Sequence, residues 1–457
     1  MAYSSSLGLP QILIDFQSSA STAMIRSSRG IGTMILNDEN VTDDTGLTFF
    51  KVTESADIPS TGISDKNVDL VKKCLAGTPA QLNIFLIPNS EYEITREIPT
   101  TTTIETTTTI ESEVFVAGVE DIDNPDLSTE DHYEIQPVTV STTTVVATTT
   151  TVTETVEATI TQAKALKEIG DLKFNWICHP TGGAQDQEDL ATWTAGQRKN
   201  KNKTFKAVVA NYAADNYGVV NFTTENIRVV NPDYTDALAE VGGDAELVDE
   251  DIPQYVTYTA AEYTSRIMGA LAGIGLDRSP TYLQFPEIVD CKRYDDIDTH
   301  INNGELCLFD EHDGNGVKIA RGCNSLTTFT AKVGESFRYI KIVEAIDMIA
   351  DDIASTFRRD YVGKVINTYD NKMLFISAIM VYLNQLKGTV LDNSETAENY
   401  VEIDTDAHKD YAQVHNISLD EYSQQQILEL NTGTHVFLRG RITPVNSMED
   451  LELHFYL

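Results

Sequence analysis

Side chains that could carry catalysis are few in this chain, and the first are Cys178 and His179 in the stretch LKFNWICHP. A thiol nucleophile needs an imidazole base that converges on it in space, whereas adjacent residues on a strand point to opposite faces. We therefore expect both residues to pack in a core rather than to act as a nucleophile–base pair. The five cysteines are widely spaced without a C-x-x-C pair, which is typical of reduced, buried thiols.

Patterns for metal and nucleotide binding are equally weak. His408 and His415 are seven residues apart in HKDYAQVH with no third ligand nearby, so a metal site there is only a minor alternative. The segment DEHDGNG lacks the ligand spacing of a calcium loop and predicts a hairpin turn. The glycines of GALAGIG lie inside a predicted helix and do not follow the dinucleotide-binding pattern. The sequence therefore predicts no enzyme, no cofactor and no metal.

Charge limits the partners that this chain can take. Seventy acidic and 33 basic residues among 457 give a net charge of −37. We therefore expect neither nucleic acid nor an anionic membrane as a partner, because their phosphates would be repelled. The densest basic run is GQRKNKNKTFK, in which Arg198, Lys199, Lys201 and Lys203 suit a helix C-terminus and lack the interleaved aromatic residues of a single-strand binder.

The elements that would position these residues alternate between strands and helices. The run ISDKNVDLVKKCLAG predicts a helix that begins at Ser64 or Asp65 and ends at Gly77. The run TAAEYTSRIMGALAGIG predicts a helix whose Ala and Gly residues permit close packing against a sheet. We expect a mixed α/β (α+β) fold, with an α/β domain at residues 20–96 and 164–330 and a mainly helical domain at 331–442.

Residues 97–163 differ in composition from the rest of the chain. They contain no Lys or Arg and are dominated by Thr, with Val and Ile recurring in both Thr-rich runs. Because β-branched residues favour strands, we predict a β-rich insertion on an outer surface. A disordered linker is the alternative, and a mucin-like stalk would require a secretion signal that the N-terminal residues do not resemble.

Both chain ends carry apolar residues at alternate positions. Ile12, Ile14 and Phe16 share one face near the start, in a predicted arm at residues 1–19. In MEDLELHFYL the shared face consists of Leu451, Leu453, Phe455 and Leu457, in a predicted arm at residues 443–457. Each strand either docks on its own domain or adds to a sheet in a neighbouring subunit, and head-to-tail contacts of the second kind build rings or open helices.

Three stretches, in this order, resemble contractile tail sheath proteins of the PBSX-like phage-tail group. They are LGLPQILIDFQSSASTAMIRSSRGIGTMIL, then YTSRIMGALAGIGLDRSPTYLQFPEIVD, and finally IARGCNSLTT followed by FRYIKIVEAIDMIADDIASTFRRDYVGKV. The resemblance covers nearly the whole chain apart from residues 97–163. R-type bacteriocin sheaths of the diffocin kind are the most similar type, and the sequence leaves open whether the particle is a phage tail or a bacteriocin.

The resemblance implies a helical sheath of stacked hexameric rings around an inner tube, with both terminal arms exchanged between neighbouring subunits. It places Val436 and Leu438 of HVFLRGRIT in the sheet that accepts an arm. Arg358, Arg359 and Lys364 are candidates for contact with an acidic tube, and equally for stabilising the C-terminus of their own helix.

The same resemblance implies four partners: further copies of the chain, the inner tail tube, the baseplate and the tail terminator. It implies assembly in a bacterial cytoplasm and release of the particle by lysis. No apolar run approaches the ~20 residues of a membrane span, so we expect no direct membrane insertion. The alternative function is a Thr-rich β adhesin or surface-layer protein, which would need a secretion route.

Overall fold

The structure is a computed structural model that describes residues 29–118, 132–240, 249, 251–312, 314 and 316–456. The chain separates into two compact units, of which residues 89–159 form the smaller and the remaining residues form the larger. In chain order the strands are β1 (Ile31–Asp38), β2 (Thr48–Val52), β3 (Gln81–Pro88), β4 (Glu91–Val116), β5 (His132–Glu157), β6 (Trp176–Cys178), β7 (Lys206–Ala210), β8 (Val219–Phe222), β9 (Ile227–Val230), β10 (Tyr255–Tyr258), β11 (Ile288–Asp290), β12 (Glu305–Leu306), β13 (Leu308–Asp310), β14 (Val317–Ile319), β15 (Tyr400–Ile403) and β16 (Leu438–Arg441). The helices are α1 (Asp65–Leu75), α2 (Gln162–Ile169), α3 (Ala184–Lys201), α4 (Pro232–Glu240), α5 (Ala260–Gly273), α6 (Ile297–Asn302), α7 (Ile340–Thr356), α8 (Tyr369–Leu386), α9 (Thr405–Val414) and α10 (Gln424–Leu428).

A seven-stranded sheet forms the centre of the larger unit, in the order β12-β8-β7-β6-β1-β3-β2. Neighbouring strands are parallel except at one edge, where β2 runs antiparallel to β3. The inner strands are nearly continuous apolar runs such as QLNIFLIP, as expected for a parallel sheet that is covered on both faces. The mixed α/β, multi-domain fold predicted from the sequence is confirmed.

Helices cover both faces of this sheet. The side chains of β1 point alternately into the two cores that lie on these faces. Met34 belongs to a core formed with α1 and α5, whereas its neighbour Ile35 belongs to a second core formed with α2 and α3. Successive side chains of a strand point to opposite faces, so one short strand contributes to both cores. The sheet is therefore the middle layer of three.

Helix α5 packs in the core on one face of the sheet, as predicted, but two of its glycines approach α1. A Cβ atom added to Gly269 would overlap the carbonyl oxygen of Cys74, and one added to Gly273 would overlap the carbonyl oxygen of Gly77. Both glycines face the end of α1, so the two helices approach at backbone distance.

The C-terminal part of the larger unit is built on α7 and α8. Its apolar core includes Ile349, Phe375, Ile379 and Leu383, with Leu438 of β16 packed against it. The last turn after α7, Phe357–Tyr361, is π-helical. Among the described residues, no helix combines the length and apolar character that crossing a bilayer requires.

The smaller unit contains the antiparallel ribbon of β4 and β5. Its register runs without a shift from the pair Glu91 and Glu157 to the pair Val116 and His132. The predicted insertion boundaries of 97–163 are therefore displaced, since the unit comprises residues 89–159. The predicted boundary follows the change in composition after Arg96. The observed boundary lies earlier, because backbone hydrogen bonds already pair Glu91 with Glu157.

Candidate assembly surface

The C-terminal segment is tied to the larger unit at Glu449. The Glu449 carboxylate accepts hydrogen bonds from the hydroxyls of Ser279 and Thr281 at 2.8 and 2.9 Å, and it pairs with Arg321 at 3.2 Å. The Glu449 side chain is only 6% exposed. Asp450 also pairs with Arg321, and Lys341 Nζ donates to Ser447 Oγ at 3.1 Å. These contacts fix the chain up to residue 450.

The residues that follow this anchor extend into solvent. Leu451 is 88% exposed and Phe455 is 83% exposed, and Leu453 is exposed as well. The sequence predicts a strand that pairs either with its own domain or with a neighbouring subunit, and the described residues 451–456 pair with no strand of their own chain. Alternation of apolar residues indicates which face a strand would bury but supplies no hydrogen-bond partner, and a strand exists only when another strand pairs with it.

Leu438, one of the two residues predicted to accept an arm, lies in a two-stranded sheet formed by β15 and β16. Strand β16 pairs antiparallel with β15, with Ile403 opposite Leu438 and Tyr400 opposite Arg441. Val436 lies outside the strand, which corrects its assignment to this sheet. The Asn367 amide donates to the carbonyl oxygens of Gly433 and His435, so these carbonyls are engaged by a side chain before the ladder begins.

Beyond β16 the chain contacts a second segment of its own domain. The Asp392 amide donates to the Thr443 carbonyl at 2.8 Å, and the Val445 amide donates to the Val390 carbonyl at 2.9 Å. The chain therefore leaves the small sheet along a fixed path to the Glu449 anchor.

The three candidate tube-contact cations lie near the end of α7. Arg358 is exposed, while the Arg359 guanidinium pairs with the neighbouring carboxylate of Asp360. Lys364 Nζ donates to the carbonyl oxygen of Arg359 at 2.5 Å. Two of the three cations thus have local partners, and each of the three lies close to the surface.

A cluster of buried charges, which we call the junction cluster, joins α7 to the central sheet. Its members are Arg29, Arg198, Lys206, Glu344 and Asp347. Lys206 Nζ lies 2.8 Å from a carboxylate oxygen of Glu344 and 3.0 Å from one of Asp347. Arg198 forms two hydrogen bonds with Asp347 at 2.8 and 2.9 Å, and Arg29 pairs with Glu344.

Electrostatics within the junction cluster favour its ionised form. Burial opposes the charge of Glu344, but Lys206 and Arg29 outweigh it and hold the pKa of Glu344 below its usual value. Burial likewise opposes the charge of Arg198, and Asp347 outweighs it and raises the pKa of Arg198. Lys206 Nζ also lies 5.1 Å from the centre of the Trp176 ring. The sequence pattern around Arg198 indicates only a helix C-terminus, since the partner Asp347 is 149 positions away.

The candidate catalytic and metal-binding residues have structural contacts. His179 is fully buried, with Nε2 2.6 Å from Asn37 Oδ1 and Nδ1 3.0 Å from Gln162 Oε1. Burial raises the pKa of the Cys178 thiol, which opposes formation of a thiolate. His408 and His415 each donate from Nδ1 to a backbone carbonyl at 2.8 Å. Each of the three histidines is thus held by hydrogen bonds inside the chain, and the Cys178 thiol is buried.

One group of potential metal ligands was missed by the sequence analysis. His300, Glu305 and Cys307 place ligand atoms within 4.8 Å of one another. His300 Nδ1 is already hydrogen-bonded to Glu305 Oε2 at 2.8 Å, and Cys307 Sγ lies 3.5 Å from the Thr223 hydroxyl. We assign these residues to the packing around β12.

Four of the residues predicted to form the terminal arms, Ile12, Ile14, Phe16 and Leu457, lie outside the described residues.

Two family models match the chain in succession. The phage tail sheath protein central domain matches residues 146–325, and the phage tail sheath C-terminal domain matches residues 332–457. The tail sheath protein of Clostridium phage phiCD119 is 33% identical over 291 residues, which are 63% of this chain and 73% of that protein. The chain therefore belongs to the phage tail sheath family, and it is a structural subunit of a contractile tail sheath. The alternative function, a Thr-rich β adhesin or surface-layer protein, is not supported by these matches.

Three further proteins are similar to this chain. The phage-like element PBSX protein XkdK of Bacillus subtilis is 29% identical over 185 residues, covering 39% of this chain and 34% of that protein. The sheath tail protein of Desulfitobacterium hafniense has a similar fold, with a TM-score of 0.54 and 19% identity over 86% of this chain and 93% of that one. The contracted helical sheath of the anti-feeding prophage gives a TM-score of 0.56 at 11% identity, over 99% of each chain.

Proposed function

We propose that copies of this chain polymerise around an inner tube by exchanging their terminal segments, and that the sheath then shortens and drives the tube through a target cell envelope. The observation that carries the proposal is the exposed apolar segment beyond Glu449, which begins directly after a buried anchor. Exposed apolar residues at alternate positions on a chain end are suited to strand addition on another copy.

The acceptor in this proposal is the sheet of β15 and β16. A two-stranded sheet is marginally stable alone and leaves an unpaired edge on which a third strand can add. Strand addition would place Leu451, Leu453 and Phe455 on one face of the segment, with Glu452 and His454 on the other. Ile12, Ile14 and Phe16 would form the second exchanged strand in the same assembly.

In this proposal, one part of the subunit moves as a rigid body and another part acts as a hinge. The junction cluster holds α7 on the central sheet, so these elements would move together as the sheath shortens. The segment after Asp450 would absorb the change in its loop dihedrals while its strand hydrogen bonds persist in the neighbouring copy. Arg358, Arg359 and Lys364 would face an acidic tube, and the baseplate and tail terminator would bind the two ends of the sheath.

The localisation that fits this proposal is assembly in a bacterial cytoplasm followed by release at lysis. The proposal holds for a phage tail and for an R-type bacteriocin alike, because both would use the same sheath subunit.

Alternate-face variants of the C-terminal segment test the proposal. Leu451→Ser, Leu453→Ser and Phe455→Ser are combined in one variant, and Glu452→Ser, His454→Ser and Tyr456→Ser in its control. We expect the first variant to stay folded by circular dichroism yet to form no hollow striated tubes in electron micrographs, whereas the control forms them. Tubes of normal length from the first variant would refute strand exchange by this segment.

A further inference from the structure

The ribbon of β4 and β5 has two faces of different chemistry. Because its register pairs Glu91 with Glu157 and continues without a shift, even-numbered residues of both strands share one face and odd-numbered residues share the other. We call these the even face and the odd face. Each strand is 26 residues long, far beyond the usual 3–10 residues.

Exposed apolar side chains concentrate on the even face. Of the eight large exposed ones among the described side chains of the ribbon, six lie there, and Phe115 and Val145 lie on the odd face. The six are Ile104, Ile110, Val114, Val140, Val146 and Val152. Threonines at 106, 108, 142 and 144 fill the positions between them.

Glutamates concentrate on the opposite face. Among the described side chains of the ribbon, the odd face carries Glu91, Glu93, Glu105, Glu111, Glu113 and Glu157, while the even face carries Glu134 and Glu154. The paired middle of the even face, residues 104–108 opposite 140–144, has no charged member, and Glu134 lies opposite Val114 further along.

This pattern is typical of a sheet with one covered face and one solvated face. Within the described part of the chain, however, β4 and β5 form a sheet of their own and no third strand pairs with either. A two-stranded ribbon is marginally stable in water, and apolar groups on its even face contribute to stability only when another surface removes them from water.

We propose that the even face packs against the even face of the ribbon of a second copy of this chain. The inference rests on the proposed function, since the copies must first be held together in a sheath. Two even faces are chemically matched, because their Val and Ile side chains exclude water and their Thr hydroxyls can both donate and accept. The same arrangement leaves both glutamate-rich odd faces in solvent. A phosphate-bearing partner would be repelled by these glutamates.

The size of the face explains why pairing should depend on assembly. A ribbon of this length offers at most ~85 Å by ~10 Å, or ~850 Å² per copy. Two-stranded ribbons twist strongly, so only part of that area can meet a second ribbon, and the total then falls below the ~1,200 Å² of a stable independent interface. We therefore expect pairing between subunits held close in the sheath and not between free subunits.

Neighbouring threonines provide a matched pair of probes. Thr106 lies on the even face and Thr107 on the odd face, both are exposed, and the five native cysteines are buried. The variants Thr106→Cys and Thr107→Cys are labelled with a maleimide as free subunits and as assembled sheaths. We expect assembly to slow labelling of the Thr106→Cys variant at least tenfold. The labelling rate of the Thr107→Cys variant should change less than twofold between free subunits and sheaths.

Cross-linking identifies the covering surface. A bis-maleimide spanning ~10 Å, the spacing of stacked sheets, is applied to sheaths that carry one introduced cysteine at 106, 108, 142 or 144. A dimer band then joins the same residue in two ribbons, because the native thiols are buried. We expect such dimers for at least one even-face variant in sheaths and for none in free subunits at the same protein concentration.

Three results would overturn the proposal. Equal labelling of the two variants in intact sheaths would refute ribbon pairing and leave the proposed function standing. Protection of the Thr106→Cys variant already in free subunits would show that the same chain covers the even face. Protection upon assembly without any dimer would assign the cover to another surface. Failure of the unmodified chain to form sheaths would remove the proposed function, and with it this inference.

Discussion

At the scale of single residues, the junction cluster shows that charge can determine how two parts of one chain fit together. Five ionisable groups are withdrawn from water, and each carboxylate has two cationic partners. A buried ion pair is weak evidence of net stability, whereas removing one partner leaves an uncompensated buried charge. We therefore expect the cluster to select one arrangement of α7 on the sheet.

Removal of one charge from this cluster should be costly. In the Glu344→Gln variant, Lys206 and Arg29 lose a carboxylate partner, and we expect the free energy of unfolding to fall by about 3–5 kcal/mol. Urea unfolding followed by circular dichroism measures the change. The matched control is Glu402→Gln, whose exposed carboxylate pairs with Arg439, and its unfolding midpoint should not shift. Equal midpoints for the two variants would contradict a stabilising role for the cluster.

The buried imidazole of His179 should make stability depend on pH. Burial lowers the pKa of His179 to about 3. The unfolded chain takes up this proton below about pH 6.5 and the folded chain does not, so stability from this group is complete above pH 6.5 and is lost steadily as the pH falls toward 3. The loss is about 1.4 kcal/mol per pH unit.

The His179→Gln variant isolates this contribution. Between pH 6.5 and 5, we expect its free energy of unfolding to decline less steeply than that of the unmodified chain. The two slopes should differ by about 1.4 kcal/mol per pH unit, which corresponds to one proton. Chemical denaturation at several pH values provides the slopes, and the comparison of slopes is independent of any constant loss from the changed hydrogen bonds. Identical slopes would mean that His179 is protonated in the folded chain.

At the scale of elements, glycines set the distance between α1 and α5. Gly269 has no room for a side chain, because a Cβ would overlap the backbone of Cys74. Gly196 in α3 is also within a helix, and a Cβ there would meet no atom within 4 Å. An alanine at Gly269 would therefore test packing between the helices, whereas an alanine at Gly196 would test helix propensity alone.

Alanine should have opposite effects at these two positions. We expect the Gly269→Ala variant to lower the free energy of unfolding by about 1–3 kcal/mol, since the helices must move apart. The Gly196→Ala variant should raise it by about 0.5–1 kcal/mol, because alanine is the better helix former. Thermal and urea unfolding measure both changes. A stabilised Gly269→Ala variant would show that the interface tolerates a wider spacing.

At the scale of the whole molecule, a net charge of −37 on each copy opposes assembly. In the proposed assembly, contacts at the chain ends must exceed this repulsion, which acts over a distance that salt controls. The screening length is about 30 Å at 0.01 M salt and about 8 Å at 0.15 M. The balance between sheath and free subunits should therefore shift with ionic strength.

We expect the fraction of chain in sheaths to rise between 0.01 and 0.15 M sodium chloride and to change little beyond that. Sedimentation of assembled material at fixed protein concentration gives the fraction. Sucrose at matched osmolarity is the control, because it is uncharged and leaves the screening length unaltered. Dissociation of sheaths by added salt would instead indicate that ion pairs between copies dominate assembly.

The sequence by itself determined the features that depend on local pattern. A start at Ser64 or Asp65 and an ending Gly77 located α1, an Ala- and Gly-rich run located α5, and the composition change located the threonine-rich ribbon to within about eight residues. Local steric and hydrogen-bonding preferences act within a few residues, so they can be read from the chain alone. The fold class and the family resemblance followed from such segments in their order.

Only the tertiary structure decided which distant groups meet. The pairing of β12 with β8, the anchor at Glu449 and the junction cluster each join residues that are far apart along the chain. Val436 lies outside β16 for the same reason, since a strand is defined by the partner that pairs with it. Long-range pairing depends on how packed elements bring backbone and charge together in space, and no local pattern encodes that position.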